Sequence, residues 1–125
     1  MARKKGKGTE LSVFTGREAL LNRVILKILE QKGALISYDV WLLVRAIKGF
    51  RHTERKTVYR RMQALERQSW ITQKGTRPTQ PGWDSELYEL TLRGKAALKL
   101  DEKNIGTFLE TAKDEQLHLL IAALS

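Results

Sequence analysis

Cysteine is absent from this 125-residue chain, and proline occurs only twice. Without cysteine the chain can form neither disulfide bonds nor thiolate metal sites, which fits a reducing compartment, and we expect a cytoplasmic protein. No apolar run approaches the roughly 20 residues that span a bilayer. The basic N-terminus is not followed by the apolar segment of a signal peptide. These absences predict a protein without a membrane segment.

The motifs of common catalytic sites are missing as well. The chain has no nucleophile elbow, no Walker A loop and no glycine-rich dinucleotide fingerprint. Its two histidines, His52 and His118, are far apart in sequence and have no local metal-ligand spacing. We therefore predict that the protein is not an enzyme and needs no metal or cofactor. No site for a small-molecule effector is visible in the sequence.

Basic residues are abundant and unevenly distributed. Lys and Arg total 23 against 14 Asp and Glu, for a net charge of +9. Residues 51–77 have a net charge of +6, the first ten residues +3, and residues 101–125 −3. A basic tail or a need for solubility would explain an excess of positive charge. Its segregation instead favours a polyanionic partner that meets one surface.

Apolar spacing and capping residues predict the first two helices. Thr15 and Glu18 have the spacing of a capping box and open a helix that stops near Gly33. After a short apolar link, Ser37 caps a second helix over about residues 38–47. This helix is apolar nearly all round, so we expect it to be the most buried one.

The third helix is the most informative segment of the chain. Thr53 is its predicted cap, and it runs to about Ser69 after a short glycine-containing turn, which completes a helix-turn-helix unit. Its apolar stripe consists of Val58, Met62, Leu65 and Ser69, and Lys56, Arg60, Gln63 and Arg67 point the opposite way. A helix with one packed face and one face bearing guanidinium groups suits insertion into a nucleic-acid groove.

A β-hairpin wing is predicted after the third helix. It consists of a strand over residues 70–74, a loop over 75–85 and a returning strand over 86–90, in which Glu86, Tyr88 and Leu90 share a face. A short helix over 93–100 follows, broken by residues 101–104, and a last amphipathic helix covers 114–124. Trp41 and Trp70 adjoin apolar segments and are predicted core residues. Trp83 in the loop either packs on the wing or meets a partner.

Two motifs resemble those of PadR/MarR-type prokaryotic transcriptional regulators. TVYRRMQALE at residues 57–66 is similar to their third helix, and LYELTLRGKAAL at 87–98 to their junction between wing and helix. The chain departs from the families' usual Glu-Gly-Leu at Gln68-Ser69-Trp70. The resemblance covers residues 17–100 and implies an α+β, mainly α, winged helix-turn-helix. It also implies binding to double-stranded DNA, usually as a homodimer on a palindrome, and transcriptional regulation, for which we expect repression.

Candidate DNA contacts follow from helical position, charge and the resemblance. The predicted set is Arg55, Lys56, Thr57, Tyr59, Arg60, Arg61, Lys74 and Arg77. Lys56 and Arg60 occupy the outward face in the half of the helix that normally meets base edges. Arg55 lies toward the packed side and touches either phosphate or the second helix. Possible backbone contacts are Arg3, Lys4, Lys5, Lys7, Arg51, His52 and Thr53.

Each candidate has a plainer alternative. In the alternative interpretation, the basic face of the third helix is only a solvated surface, and Tyr59 packs on a neighbouring helix. Lys74 and Arg77, predicted to flank the wing tip, otherwise belong to a mobile loop that makes no contact. The N-terminal lysines otherwise form a solubilising tail. His52 is predicted to be a helix cap or a phosphate contact.

The chain divides into three predicted parts: a basic arm at residues 1–10, the winged helix-turn-helix domain at 11–100, and a helical extension at 101–125. In the extension the apolar stripe consists of Leu117, Leu120, Ile121 and Leu124. It either packs on the domain or, as we favour, forms a dimer interface. Two alternatives to a sequence-specific regulator remain: a DNA- or RNA-binding protein without sequence preference, and a protein-interaction module in a transcription or replication assembly.

Overall fold

The computed structural model describes residues 11–103 and 105–125. Within them a short 3-10 helix, Ser12–Phe14, precedes the regular elements, which are α1 (Ala19–Lys32), β1 (Leu35–Ile36), α2 (Ser37–Arg45), α3 (Arg55–Arg67), β2 (Ile71–Gln80), β3 (Trp83–Leu90), α4 (Leu92–Lys103), α5 (Ile105–Thr111) and α6 (Asp114–Leu124). The order from α1 to α4 confirms the predicted α+β winged helix-turn-helix. The further C-terminal helices are also confirmed, although α5 was not predicted.

Helix α1, not α2, supplies the largest buried face among the described helices. The buried residues of α1 are Leu21, Asn22, Ile25, Leu26, Ile28 and Leu29. Helix α2 buries only Val40 and Val44, and its Leu42 is 42% exposed. The prediction that α2 is the most buried helix is therefore wrong. The helix is apolar nearly all round, but α1 and α3 cover only one side of it.

The predicted side-chain caps of the first three helices are wrong. The Thr15 hydroxyl donates to the carbonyl oxygen of Ser12, 3.1 Å away, before α1 begins. Ser37 is already the first residue of α2, because pairing of β1 holds Ile36 in the extended N-cap conformation. Glu54, not Thr53, occupies the N-cap of α3. Backbone geometry imposed by neighbouring elements, rather than a hydroxyl cap, sets where these helices start.

The ends of α1 and α3 depend on unusual backbone angles. As predicted, α1 stops at Gly33, where φ is +84°, a value that glycine adopts without steric cost. Helix α3 stops at Arg67, two residues earlier than expected. Ser69 beyond it has φ +71° and is exposed, so it is not part of the buried stripe.

The wing is longer than predicted. The strands form one antiparallel sheet in the order β1-β3-β2, and β2 continues to Gln80 where a loop from Gly75 was expected. Gly75 and Pro78, in the predicted loop, both lie beside register irregularities of β2, which is an edge strand. An edge strand tolerates proline because one row of its N–H groups needs no partner. The loop prediction is therefore wrong, and only Pro81 and Gly82 form the turn.

Helix α4 also runs further than predicted, from Leu92 to Lys103. Asp101, expected to end it, lies inside the helix and binds the guanidinium of Arg23 in α1 through both oxygens, with N–O distances of 2.7 and 2.9 Å. This bidentate pair joins α4 to α1 and favours continuation of the helix. At its start, the Thr91 hydroxyl accepts a hydrogen bond from the Gly94 N–H at 3.0 Å.

Helix α6 has the predicted bounds, Asp114–Leu124. Its side chains are not buried against the domain: Ile121 is 61% exposed and Leu124 79% exposed, whereas Leu117 and Leu120 are half-buried. Leu119 on another side of the helix is 72% exposed. The apolar surface of α6 is therefore open in the single chain.

Candidate nucleic-acid interface

Helix α3 separates an apolar side from a basic side. Val58, Met62 and Leu65 are completely buried in the core, as their spacing predicts. Lys56, Arg60 and Arg67 are exposed. The buried side fixes the rotation of the helix, so the cations cannot turn inward without breaking the core.

Gln63 was predicted to point away from the core with these cations, and the structure contradicts this. Its side-chain N–H donates to the Tyr88 hydroxyl at 3.0 Å, and that hydroxyl donates to the Glu86 carboxylate. Burial and the Glu86 carboxylate raise the pKa of the Tyr88 phenol well above its usual value. The phenol thus stays protonated and bridges α3 to β3, so α3 and the wing are held in a fixed relative position. Glu86, Tyr88 and Leu90 share one strand face, as predicted.

The N-terminal part of α3 borders an open cleft of about 580 Å³. Its lining consists of Ser37, Glu54, Arg55, Lys56 and Tyr59. Tyr59 is 47% exposed, so its hydroxyl is accessible from solvent. Arg55 contacts the second helix, one of its two predicted positions: its guanidinium carbon is 5.0 Å from the ring centre of Tyr38. Thr57 is half-buried on the flank.

Most cations of the helix-turn-helix unit are unpaired. Within the described ranges, the following have no carboxylate within 4.0 Å: Arg45, Lys48, Arg51, Arg55, Lys56, Arg60 and Arg67. Elsewhere carboxylates hold the cations of the α1–α4 contact, for example Lys27 with Glu102 and Lys99 with Glu30, each at 3.6 Å. The surface formed by α2, the turn and α3 thus carries seven unpaired cations; the other unpaired cations of the described ranges are spread over the rest of the chain, at Arg17, Lys32, Arg93, Lys95, Lys103 and Lys113. Such a surface attracts phosphate.

Three predicted DNA contacts are paired with carboxylates in the structure. Arg61 lies 3.9 Å from Glu18 at the start of α1, and its side chain is only 21% exposed. Lys74 lies 3.6 Å from Glu89 on the neighbouring strand. Arg77 binds Asp39 of α2 at 3.1 Å. These cations must exchange their carboxylates for phosphates if they are to contact DNA.

The wing tip has a different composition from the one predicted. Because β2 extends to Gln80, Lys74 and Arg77 lie along the strand and do not flank the tip. The tip is formed by Pro81 and Gly82 and is followed by Trp83, which is 68% exposed. Trp41 and Trp70, which were predicted to be core residues, are only partly buried and pack against the core. An exposed aromatic side chain, not a cation, is thus the most prominent group of the wing tip.

The remaining predicted contacts fall in the turn and in the arm. Arg51 and His52 are exposed in the turn before α3, and His52 is not a helix cap. The carbonyl oxygen of Thr53 accepts a hydrogen bond from the Trp41 indole N–H at 2.9 Å. The predicted arm contacts, Arg3, Lys4, Lys5 and Lys7, lie outside the described residues.

Arg45 and Lys48 are exposed cations of this surface that were not among the predicted contacts. Arg45 is the last residue of α2, and its guanidinium carbon lies 4.9 Å from the ring centre of Trp41. The signal was present: an arginine four residues after a tryptophan lies on the same helix face. The basic surface therefore extends beyond α3 to the end of α2.

No group of three or more His, Asp or Glu side chains in residues 11–103 and 105–125 is placed to hold a metal ion. Over the same part of the chain, none of the helices is long and apolar enough to cross a bilayer.

Comparison with known proteins identifies the fold. No protein-family model matches this chain, and no curated protein matches it significantly. The structure is similar to that of a Streptococcus transcriptional regulator, at 23% identity and a TM-score of 0.57 over 73% of this chain and 89% of that chain. A PadR-like transcriptional regulator from Bacillus cereus aligns at 16% identity and a TM-score of 0.56, over 83% of this chain and 93% of that one.

The structure of Bacillus subtilis PadR in complex with operator DNA is also similar. It aligns at 24% identity with a TM-score of 0.55, and the alignment covers 87% of this chain and 62% of PadR. These likenesses show that the chain has the winged-helix fold of PadR-like regulators.

Proposed function

We propose that this protein is a DNA-binding transcriptional regulator that binds a palindromic duplex as a homodimer and represses transcription. The unpaired cations of α2, the turn and α3 carry the proposal, because they form one exposed surface on a rigid helix-turn-helix unit. Lys56 and Arg60 then enter the major groove and contact base edges. The similar fold of PadR, whose structure contains operator DNA, supports the same partner.

Repression follows from what a bound dimer does to DNA. Two helix-turn-helix units on adjacent half-sites cover about two helical turns of duplex and exclude other proteins from it. A dimer that binds near a promoter therefore blocks access to it. In this proposal Arg51, His52 and, after exchange of their carboxylates, Lys74 and Arg77 contact the backbone. The N-terminal arm adds backbone contacts through its lysines and Arg3.

Selection from randomised duplexes tests this function directly. Purified protein is incubated with the DNA pool at about 150 mM salt, where long-range charge attraction is screened. We expect recovery of a palindrome with half-site centres about 10 base pairs apart. Salt-sensitive binding without a recovered motif would instead support a nucleic-acid-binding protein without sequence preference. Absence of any bound DNA would favour a protein-interaction module.

The homodimer in this proposal uses α6. In its stripe, Ile121 and Leu124 are exposed in the single chain while Leu117 and Leu120 are half-buried, although an apolar surface of this kind is normally covered. A second copy of α6 presents the same stripe and can cover it in a two-fold symmetric contact. The negative charge of residues 101–125 keeps this contact away from phosphate.

Glutamate in place of Ile121 is expected to convert the dimer to a monomer, because it places a charge in the apolar contact. Leu119→Glu is the matched control, since Leu119 is also exposed but lies on the other side of α6. Sedimentation equilibrium measures the mass of each variant at several concentrations. A wild-type chain that is monomeric at every concentration, or equal dissociation by both substitutions, would contradict the α6 stripe as the interface.

A further inference from the structure

Two aromatic side chains of α2 lie between two arginines, one from α2 and one from the start of α3. The guanidinium carbon of Arg55 lies 5.0 Å from the ring centre of Tyr38. The Tyr38 and Trp41 rings are 5.6 Å apart and inclined at 53°. The guanidinium carbon of Arg45 lies 4.9 Å from the Trp41 ring. We call this row of four side chains the cation–aromatic ladder; it has an arginine at each end.

Two hydrogen bonds fix the ladder to the turn of the helix-turn-helix unit. The Trp41 indole N–H donates to the carbonyl oxygen of Thr53 at 2.9 Å. The Arg45 Nε–H donates to the carbonyl oxygen of Arg51 at 3.3 Å. The aromatic rings therefore serve as a fixed support that joins the end of α2 to the start of α3.

The arginines of the ladder are held but not neutralised. Both are exposed, and in residues 11–103 and 105–125 neither has a carboxylate within ion-pair distance. A guanidinium that lies over a ring keeps N–H groups that can still donate to an acceptor, and in Arg45, within the described part of the chain, only the Nε–H is already bonded, to the Arg51 carbonyl oxygen. Phosphate accepts hydrogen bonds from those N–H groups, and stacking lowers the entropy lost when a long side chain binds.

We propose that the cation–aromatic ladder is a phosphate-binding surface beside the base-contacting face of α3. Arg45 and Arg55 each bind a backbone phosphate of duplex DNA, and Tyr38 and Trp41 act as positioning residues for them. Because the two arginines stand at opposite ends of the ladder, they reach different phosphates. The inference rests on the proposed function; it assigns Arg45 and Arg55 to phosphates and adds Tyr38 and Trp41 as positioning residues.

The phosphate contacts are tested with Arg45→Ala and Arg55→Ala. Affinity for a labelled duplex of mixed sequence is measured by fluorescence anisotropy between about 50 and 200 mM salt, since phosphate contacts carry no sequence information. Each variant is expected to bind about tenfold more weakly at the lower salt concentration. In each variant the plot of log affinity against log salt concentration is also expected to be less steep, by about 0.9 in the magnitude of its slope. Lys99→Ala is the control with the same change in charge, because Lys99 pairs with Glu30 and Glu102.

The positioning role is tested with a double-mutant cycle. Tyr38→Leu is expected to weaken binding about two- to fivefold, and Tyr38→Phe, which keeps the ring, to bind as the wild type does. Tyr38→Leu combined with Arg55→Ala should bind no more weakly than Arg55→Ala alone. Thermal unfolding of each variant confirms that it is folded.

Three outcomes overturn this inference in distinguishable ways. Wild-type protein that binds no duplex refutes the proposed function and the ladder together. Normal wild-type binding with unchanged affinity and slope in both arginine variants refutes the phosphate contacts alone. Effects of Tyr38→Leu and Arg55→Ala that multiply in the double variant refute the positioning role, because a ring that acts only on stability acts independently of Arg55.

Discussion

Alanine in place of Arg60 is expected to weaken binding to the selected duplex by about 5- to 150-fold, the effect of losing one bidentate contact to a base. Arg60 is exposed on α3, opposite the buried Val58, Met62 and Leu65, and has no carboxylate partner among the described residues. A guanidinium group can donate two hydrogen bonds to guanine O6 and N7. Anisotropy titration gives the affinity, and repeated selection with the variant should show relaxed preference at one base pair.

Arg60→Lys separates base recognition from simple charge attraction. Lysine keeps the positive charge but lacks the planar fork of donors. We therefore expect the variant to keep the wild-type salt dependence and to lose most of the preference for the selected duplex over a scrambled one. An equal loss of affinity by Arg60→Ala for the selected and the scrambled duplex would show that Arg60 binds phosphate and not a base.

The sequence predicts this face of α3 because helical periodicity is a local property. Val58, Met62 and Leu65 recur at helical spacing, and their complete burial fixes where Arg60 points. The bounds of α6 were predictable for the same reason. Once an amphipathic helix is packed, its buried stripe determines its exposed one.

The wing could not be predicted to its full length, because local signals conflict there with the environment of the strand. Gly75 and Pro78 disfavour a strand when only the neighbouring sequence is considered. Both are accommodated because β2 is at the edge of the sheet and has irregular register beside them. Which strand lies at the edge is a property of the folded domain, and it is not encoded within residues 71–80.

Ion pairing was likewise beyond the reach of sequence patterns. Arg77 and Asp39 are 38 positions apart, yet their side chains meet at 3.1 Å. Arg61 meets Glu18 only because α3 crosses the start of α1. A count of charges along the chain does not distinguish these paired arginines from the unpaired Arg60. The structure distinguishes them, since a paired cation loses its carboxylate before it binds phosphate, whereas Arg60 does not.

The junction between wing and α4 explains a glycine that helix propensity alone disfavours. Gly94 is buried in the first turn of α4, and its N–H donates to the Thr91 hydroxyl. A β-carbon at this position would lie 2.3 Å from the carbonyl oxygen of Trp70 and 2.7 Å from a methyl carbon of Leu90. The helix can approach the base of the wing this closely only without a side chain at residue 94.

Gly94→Ala is therefore expected to destabilise the protein by about 3 kcal/mol, at the upper end of the usual cost of overpacking. The nearest atom belongs to the backbone of Trp70, just before β2, so a side-chain rotation does not relieve the clash, and α4 must move away from the wing. At an ordinary helical position the same change stabilises by about 1 kcal/mol, so the sign of the effect is diagnostic. Thermal unfolding should show a midpoint lower by about 10 °C.

Ala96→Gly provides the matched control, because Ala96 is exposed on the same helix and has room for its β-carbon. It should cost about 1 kcal/mol through helix propensity alone. A variant Gly94→Ala that is as stable as the wild type, or more stable, would contradict the close packing of α4 on Trp70. Because α4 continues to Asp101, which binds Arg23 of α1, displacement of its first turn is also expected to weaken that ion pair. If Gly94→Ala weakens this ion pair, the double variant with Arg23→Ala should be destabilised by less than the sum of the two single variants.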